Sequence, residues 1–429
     1  MWSDTSVIYQ IYPLGAFGAP FVNDGKKEHR LLKIENYLDQ LVELGIDCVL
    51  LNPLFLSSTH GYDTIDYKMV DNRLGDNDDL KRVINLLHDH HIRVIFDAVF
   101  NHCSRDFFAF KEVRKNKESN YRYWFNIDLN GNNQYNDGFS YECWEGNTDL
   151  VKFNLDNWDV RHYLLDIVDY WMDEFKVDGL RLDVAYCLNR EFLKWLHGRV
   201  KYRDPDFFLL GETLHGDYNL IMNEEMLDSV TNYEAYKGLY SSFNTGNFFE
   251  ILYSFNRQFG KDPWCLYTGK HLVNFVDNHD VDRIASKLED QKHLPLIYTM
   301  LFTMPGIPCI YYGSEWGIEG KKNYNDTSLR PNIEELKSSE LTVLIQKLIK
   351  IKHQYSCLSY GDYTQIYLNN KQCVYQRKDN KDTLLIAINM ENKEAKIDLK
   401  GNYLDLLTNQ NIEINGILEP YAYKILKLK

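Results

Sequence analysis

The chain has no paired-cysteine motif, no surplus of positive charge, no long apolar run and no low-complexity or repeated segment. Each absence closes off a class of protein. Its eight cysteines stand singly, most of them inside apolar runs such as Asp47-Cys48-Val49-Leu50. That pattern fits small buried residues in a reducing compartment, not a disulfide framework. A net charge of −14 gives no electrostatic grip on nucleic acid or an anionic membrane. No stretch reaches the roughly 18 apolar residues of a membrane span. The first residues, MWSDTSVIYQ, lack the basic start and apolar core of a secretory leader. The expectation is a soluble cytoplasmic protein with neither nucleic acid nor membrane as partner, and with an oligomeric state that these features leave open.

What is present is material for a large core. The 429 residues are 44% hydrophobic, enough for one big domain and a small one. Short apolar runs at 7–12, 48–51, 94–97, 179–183, 207–211, 229–232, 272–276 and 307–312 read as strands. Between them lie amphipathic patterns. In ENYLDQLVELG, Leu38, Leu41, Val42 and Leu44 form one stripe and Gly45 stops the helix. DLKRVINLLHDHHI and VRHYLLDIVDYWMDEF repeat the pattern. Strand–helix alternation implies parallel strands with right-handed crossovers, and eight of them fit a β/α (TIM) barrel. A doubly wound open sheet is the alternative.

Two regions depart from the alternation. Residues 103–154, rich in Asn, Tyr, Trp and Gly, are too long for an ordinary βα loop and read as an inserted subdomain over the barrel mouth. From about residue 356 to 429, TQIYL, QCVYQRK, TLLIAINM, AKIDL and YAYKILKL read as a small antiparallel β domain. No Pro/Gly linker separates it from the barrel, residues 1–355, so firm packing is expected.

The chemistry gathers where strands end. In GLRLDVA (179–185), Arg181 and Asp183 share one face of a strand that is otherwise apolar. Burying such a pair without good hydrogen bonds costs more than it returns, so a functional use is expected. DAVFNH (97–102), FLLGET (208–213) and NFVDNHD (274–280) end other strands in acids and histidines. The C-terminal strand ends of a β/α barrel form its active face. Carboxylates and an arginine without a motif for an organic cofactor suit glycoside hydrolysis, in which one acid attacks and another donates a proton.

These segments resemble the four conserved regions of the α-amylase family of glycoside hydrolases, in the same order. GIDCVLLNPLF (45–55), HGYDTIDY (60–67) and PGIPCIYYGSEWG (305–317) are also similar to family segments. The resemblance implies a nucleophile at Asp183, a general acid/base at Glu212 and a transition-state stabiliser at Asp280. It implies that Arg181 positions Asp183, that His102 and His279 bond hydroxyls of the sugar being cleaved, that Tyr62 stacks beneath it, and that Asp97 supports them. Trp144 and Tyr141 are further stacking candidates in the long loop. Asn101 matches a position that contributes to calcium sites in amylases, and Asp128-Leu129-Asn130-Gly131-Asn132 is similar to part of a calcium loop without its bidentate acid; Ca²⁺ is therefore a candidate ion.

Within the family, LVKFNLDNWDV (150–160) resembles the M-P-K-L-N motif of the neopullulanase and cyclomaltodextrinase group, with Lys152 and Asn154 matching and Val151 replacing the proline. That group carries an extra N-terminal β domain, whereas here the first strand begins at residue 7. The implied activity is hydrolysis of α-1,4 bonds in maltooligosaccharides or cyclodextrins with retention of configuration. An exo-acting α-glucosidase or oligo-1,6-glucosidase and a transglycosylase use the same acids and stay open. A non-catalytic sugar-binding relative would be expected to have lost one of the three acids.

Overall fold

A computed structural model describes residues 1–428. Eight parallel strands form the central sheet: β1 (Ile8–Ile11), β2 (Cys48–Leu51), β3 (Arg93–Ala98), β4 (Gly179–Leu182), β5 (Phe208–Gly211), β6 (Ser229–Val230), β7 (Val273–Asn274) and β8 (Ile307–Tyr311). Their order is β6-β5-β4-β3-β2-β1-β8-β7. A parallel bridge from Thr231 to Val273 joins β6 to β7 and closes the ring. The sheet is a barrel, not an open doubly wound sheet.

Period-two alternation sorts the strand residues between two cores. Ile8, Cys48, Leu50, Ile95, Phe208, Leu210, Val273, Ile307 and Cys309 pack together inside the barrel. Their sequence neighbours Val7, Tyr9, Val49, Val94, Phe96 and Leu209 belong to the larger core outside it. The helix Leu38–Leu44 ends at Gly45, whose φ of 82° is the left-handed cap expected there. The helix Asn77–Asp89 buries Leu80, Val83, Ile84 and Leu87 as one stripe, and Asp76 caps it by accepting from the amides of Asp78 and Asp79 at 3.0 Å.

The long segment after β3 folds around its own aromatic core, with Phe107, Phe110, Phe125, Phe139 and Phe153 buried. It is tied by a three-stranded sheet in which Asn147–Lys152 lies between His102–Ser104 and Cys143–Trp144. Beyond the barrel, β9 (Asp362–Leu368), β10 (Gln372–Lys378), β11 (Thr383–Asn389), β12 (Ala395–Asp405), β13 (Gln410–Leu418) and β14 (Tyr423–Leu428) form one antiparallel sheet, ordered β9-β10-β11-β14-β12-β13. The sequence pattern shows five of these strands. It misses β13, an edge strand in which only Ile414 and Leu418 are buried. The sheet packs firmly on the barrel: Arg377 donates to the Thr303 carbonyl at 2.8 Å, and His293 Nε2 lies 3.0 Å from that of Met390. Among the described residues, no helix is long and apolar enough to cross a membrane.

Candidate active site

The alternation that aims Ile95 into the barrel aims Asp97 the same way, one layer higher. Leu50 is likewise followed by Asn52, Leu210 by Glu212 and Ile8 by Gln10. Parallel register then sets neighbours: Asp97 lies beside Arg181, and Leu182 beside Gly211. Asp183 and Glu212 are the next residues on those two strands, and the Glu212 amide donates to the Leu182 carbonyl at 2.9 Å.

Arg181 is the centre of the layer. Its Nη1 donates to both oxygens of Asp97 at 2.7 and 2.9 Å and to Asp183 Oδ1 at 2.9 Å. Its Nη2 lies 2.7 Å from Glu212 Oε1. All four side chains are buried. Asp97 Oδ2 also accepts from Asn52 Nδ2 and the Tyr62 hydroxyl, both at 2.9 Å. Both of its oxygens are therefore occupied within the layer.

The opposite rim is built on β7. Gln10 donates to His279 Nδ1 at 3.0 Å, which leaves the ring proton on Nε2, facing Asp280 Oδ2 at 3.0 Å and the Tyr62 oxygen at 2.5 Å. The Tyr62 and His279 rings stack at 5.6 Å. Asp280 Oδ1 accepts from Arg330 Nη2 at 3.0 Å. Burial pushes the Asp280 carboxyl up, but His279, Arg330 and Arg181 together hold it well below the usual carboxylate range. Asp183 goes the other way. Burial pushes it well up, Arg181 opposes, and the charges of Glu212, Asp97 and Asp280 add to the rise. Two guanidinium groups, those of Arg181 and Arg330, face four carboxylates here.

His102 stands apart from this network. Its ring stacks on Trp144 at 6.0 Å, its Nδ1 lies 3.1 Å from Asn101 Nδ2, and its buried Nε2 has no protein partner. Burial pushes its pKa down to about 3, so it is neutral and has one ring nitrogen left for a ligand in the cleft it lines. That cleft, of about 1260 Å³, is also lined by Tyr62, Asp183, Glu212, Trp144 and Asp280.

Other expected residues lie elsewhere. Lys152 pairs with Glu142 at 3.5 Å, Phe153 packs among the aromatic rings of the insert, and Asn154 Nδ2 donates to the Tyr123 carbonyl at 3.3 Å. The VKFN segment anchors the insert and does not line the cleft. Tyr141 is turned to Arg105. The carboxamide of Asn101 donates to His102, while Asp128 Oδ1 caps its own turn at the Asn130 amide. Among the described residues, the one grouping of three acidic, His or Cys ligands is His29, Asp76 and Asp79, and these acids already cap a helix. Asp128 is not part of that grouping.

The sequence reading missed Arg330, which reaches Asp280 from 50 residues away and lies under no strand-end pattern. It also missed Asn52 and Gln10, each two residues beyond an inward apolar residue, a signal that alternation could have supplied. Val184 is a third omission. Its φ of 42° is a strained conformation for a β-branched residue, and it turns the amide toward Glu212 Oε2 at 3.1 Å.

Comparison with known proteins agrees with this geometry. Residues 21–344 match the family model described as alpha amylase, catalytic domain, and residues 373–428 one described as beta-galactosidase C-terminal domain. The chain is 31% identical to a cyclomaltodextrinase of Geobacillus thermopakistaniensis, over 98% of this chain and 76% of that protein. It is 28% identical to neopullulanase 2 of Thermoactinomyces vulgaris, over 99% of this chain and 78% of that one. A solved cyclomaltodextrinase structure superposes with a TM-score of 0.86 at 27% identity, covering 99% of this chain and 78% of that chain. An acid-crowned barrel mouth and these likenesses lead to one conclusion: the chain belongs to the α-amylase family of glycoside hydrolases, as a member similar to the cyclomaltodextrinases and maltogenic amylases.

Proposed function

We propose that this enzyme hydrolyses α-1,4-glucosidic bonds of maltooligosaccharides or cyclodextrins with retention of configuration, in the cytoplasm. The observation that carries this reading is the shared guanidinium: Asp183 and Glu212 follow register neighbours on adjacent strands and both bond Arg181. Adjacent strands run about 4.8 Å apart. Two carboxyl groups held by one guanidinium, at 2.9 and 2.7 Å, stand close together, which suits the short separation of a retaining pair.

In this reading Asp183 is the nucleophile. Its free oxygen forms a bond to the anomeric carbon as the glycosidic bond breaks and Glu212 gives its proton to the leaving oxygen. Glu212 then takes a proton from water, whose oxygen displaces Asp183 and restores the starting configuration. Asp280, held ionised by His279 and Arg330, binds sugar hydroxyls and favours the positively charged transition state. His102 Nε2 bonds a hydroxyl of the same ring, and Tyr62 lies beneath it. The names of the relatives support the substrate class, and eight unpaired cysteines support the compartment.

The test is a product time-course by NMR on maltotriose, maltoheptaose, cyclodextrins, pullulan, isomaltose and sucrose, with Asp183→Asn as control. α-Configured products from the malto-series, lost by at least about 10⁴-fold in the control, are expected. First-formed β-configured sugar, or turnover confined to isomaltose or sucrose, would sink the proposal.

A further inference from the structure

The inserted segment contributes a second aromatic surface to the same cleft. Tyr135 lines the cleft and is 42% exposed, yet it is rigidly held. The Arg105 guanidinium covers one face of its ring, 3.8 Å from the centroid. Arg105 is itself fixed by two bonds to Asp137, at 2.9 and 3.1 Å, and by the Tyr141 hydroxyl. The Tyr135 hydroxyl donates to Asp149 Oδ1 at 2.7 Å, and its amide donates to Asn133 Oδ1 at 2.8 Å. None of these partners touches Arg181, Asp183, Glu212 or Asp280.

Packing alone does not account for this arrangement. The core of the insert is made by buried phenylalanines, and the ion pair between Arg105 and Asp137 is complete without Tyr135. What the clamp achieves is a ring locked in one position, with one face backed by a cation and the other left free. A ligand that stacks there loses little entropy on ordering the protein. The cleft around it is rimmed by Asp137, Asp149 and Asn147, which suit a ring of hydroxyl groups around an apolar C–H face.

We propose that Tyr135 is a distal glucosyl-binding residue, which stacks on a sugar unit remote from the bond being cleaved and so sets a preference for longer chains. The inference rests on the α-glucan reading above and names the substrate length that this cleft favours. Arg105 and Asp137 act through Tyr135 as positioning residues.

The experiment compares kcat and KM on maltotriose and maltoheptaose for the wild type, Tyr135→Ala and Tyr135→Phe. Loss of the ring should lower kcat/KM for maltoheptaose about tenfold, through KM, and leave maltotriose unchanged. Phe, which keeps the ring, should retain most of the preference. In an Asp183→Asn background, Tyr135→Ala should weaken calorimetric binding of maltoheptaose by a similar factor. Equal losses on both sugars, no loss on either, or unaltered binding would overturn the assignment. A wild type inert on both sugars would instead defeat the proposed function, so the two failures are separable.

Discussion

The floor and the mouth of the barrel are made by the same strands, two residues apart, and obey opposite rules. On the floor, Ile8, Leu50, Ile95 and Leu210 fill the interior with apolar side chains. At the mouth, the next inward residues on those strands are Gln10, Asn52, Asp97 and Glu212, all buried and all polar. Floor residues stabilise by leaving water. Mouth residues lose solvation and are tolerated because nearly every oxygen finds a donor, chiefly on Arg181. A third place shows what happens without that cation. Glu315, buried outside the barrel, accepts from the Tyr9 hydroxyl at 2.6 Å and from Gln40 at 2.8 Å, and makes no ion pair among the described residues. Burial pushes its pKa up to about 7.

The largest effect should come from breaking the mouth. Arg181→Met leaves three buried carboxylates without their shared cation. We expect kcat/KM to fall by at least about 10³-fold and stability by about 3–5 kcal/mol. Leu210→Ala on the floor should cost a comparable 2–5 kcal/mol, roughly, while leaving kcat per folded molecule unchanged. Denaturant unfolding with active-site titration separates the two. If Leu210→Ala lost activity as severely as Arg181→Met, floor and mouth would not be distinct layers.

A smaller effect is expected at Glu315. Its folded pKa is raised, so its contribution is complete below the ordinary carboxylate range and is lost as pH rises through about 7. Glu315→Gln removes that titration. The variant should gain on the wild type by about 1–3 kcal/mol between pH 4 and pH 8. Thermal unfolding at both pH values checks it, and a stability gap that does not widen would mean that the acid is not held neutral.

The smallest effect concerns the strained turn between the acids. Val184→Gly accepts φ of 42° without strain, and the relief is partly offset by the chain entropy of glycine. Stability should change by no more than about 1 kcal/mol, whereas kcat falls because the amide bonded to Glu212 is less firmly aimed. Unchanged kcat would show that the strain has no part in placing Glu212.

Much of this was legible in the residues because its cause is local. The eight barrel strands announce themselves as apolar runs, and Asp97, Asp183, Glu212 and Asp280 stand at or just beyond their ends. Where the pattern failed, a local cause was missing. Strand β13 is an edge in which the apolar residues form no continuous run and only Ile414 and Leu418 are buried, so Gln410–Leu418 does not stand out along the chain. The VKFN segment is legible only as a resemblance to a group motif; that Phe153 packs on Phe107 and Phe125 inside the insert is decided by aromatic contacts that no single segment encodes.

What the sequence by itself determined is the alternation of eight strands with helices and the order of the acids at the strand ends, since period-two alternation and strand-end placement need only neighbours along the chain. Closure of the ring through Thr231 and Val273 was left to the structure. Tertiary structure alone decided that Arg181 would serve three carboxylates at once, that Arg330 would reach Asp280, and that Arg105 would clamp Tyr135. Those pairings follow from barrel closure and from loops folded against one another. A charge can be read from its residue, but its partner is fixed only when distant segments are brought within hydrogen-bond reach and water is excluded between them.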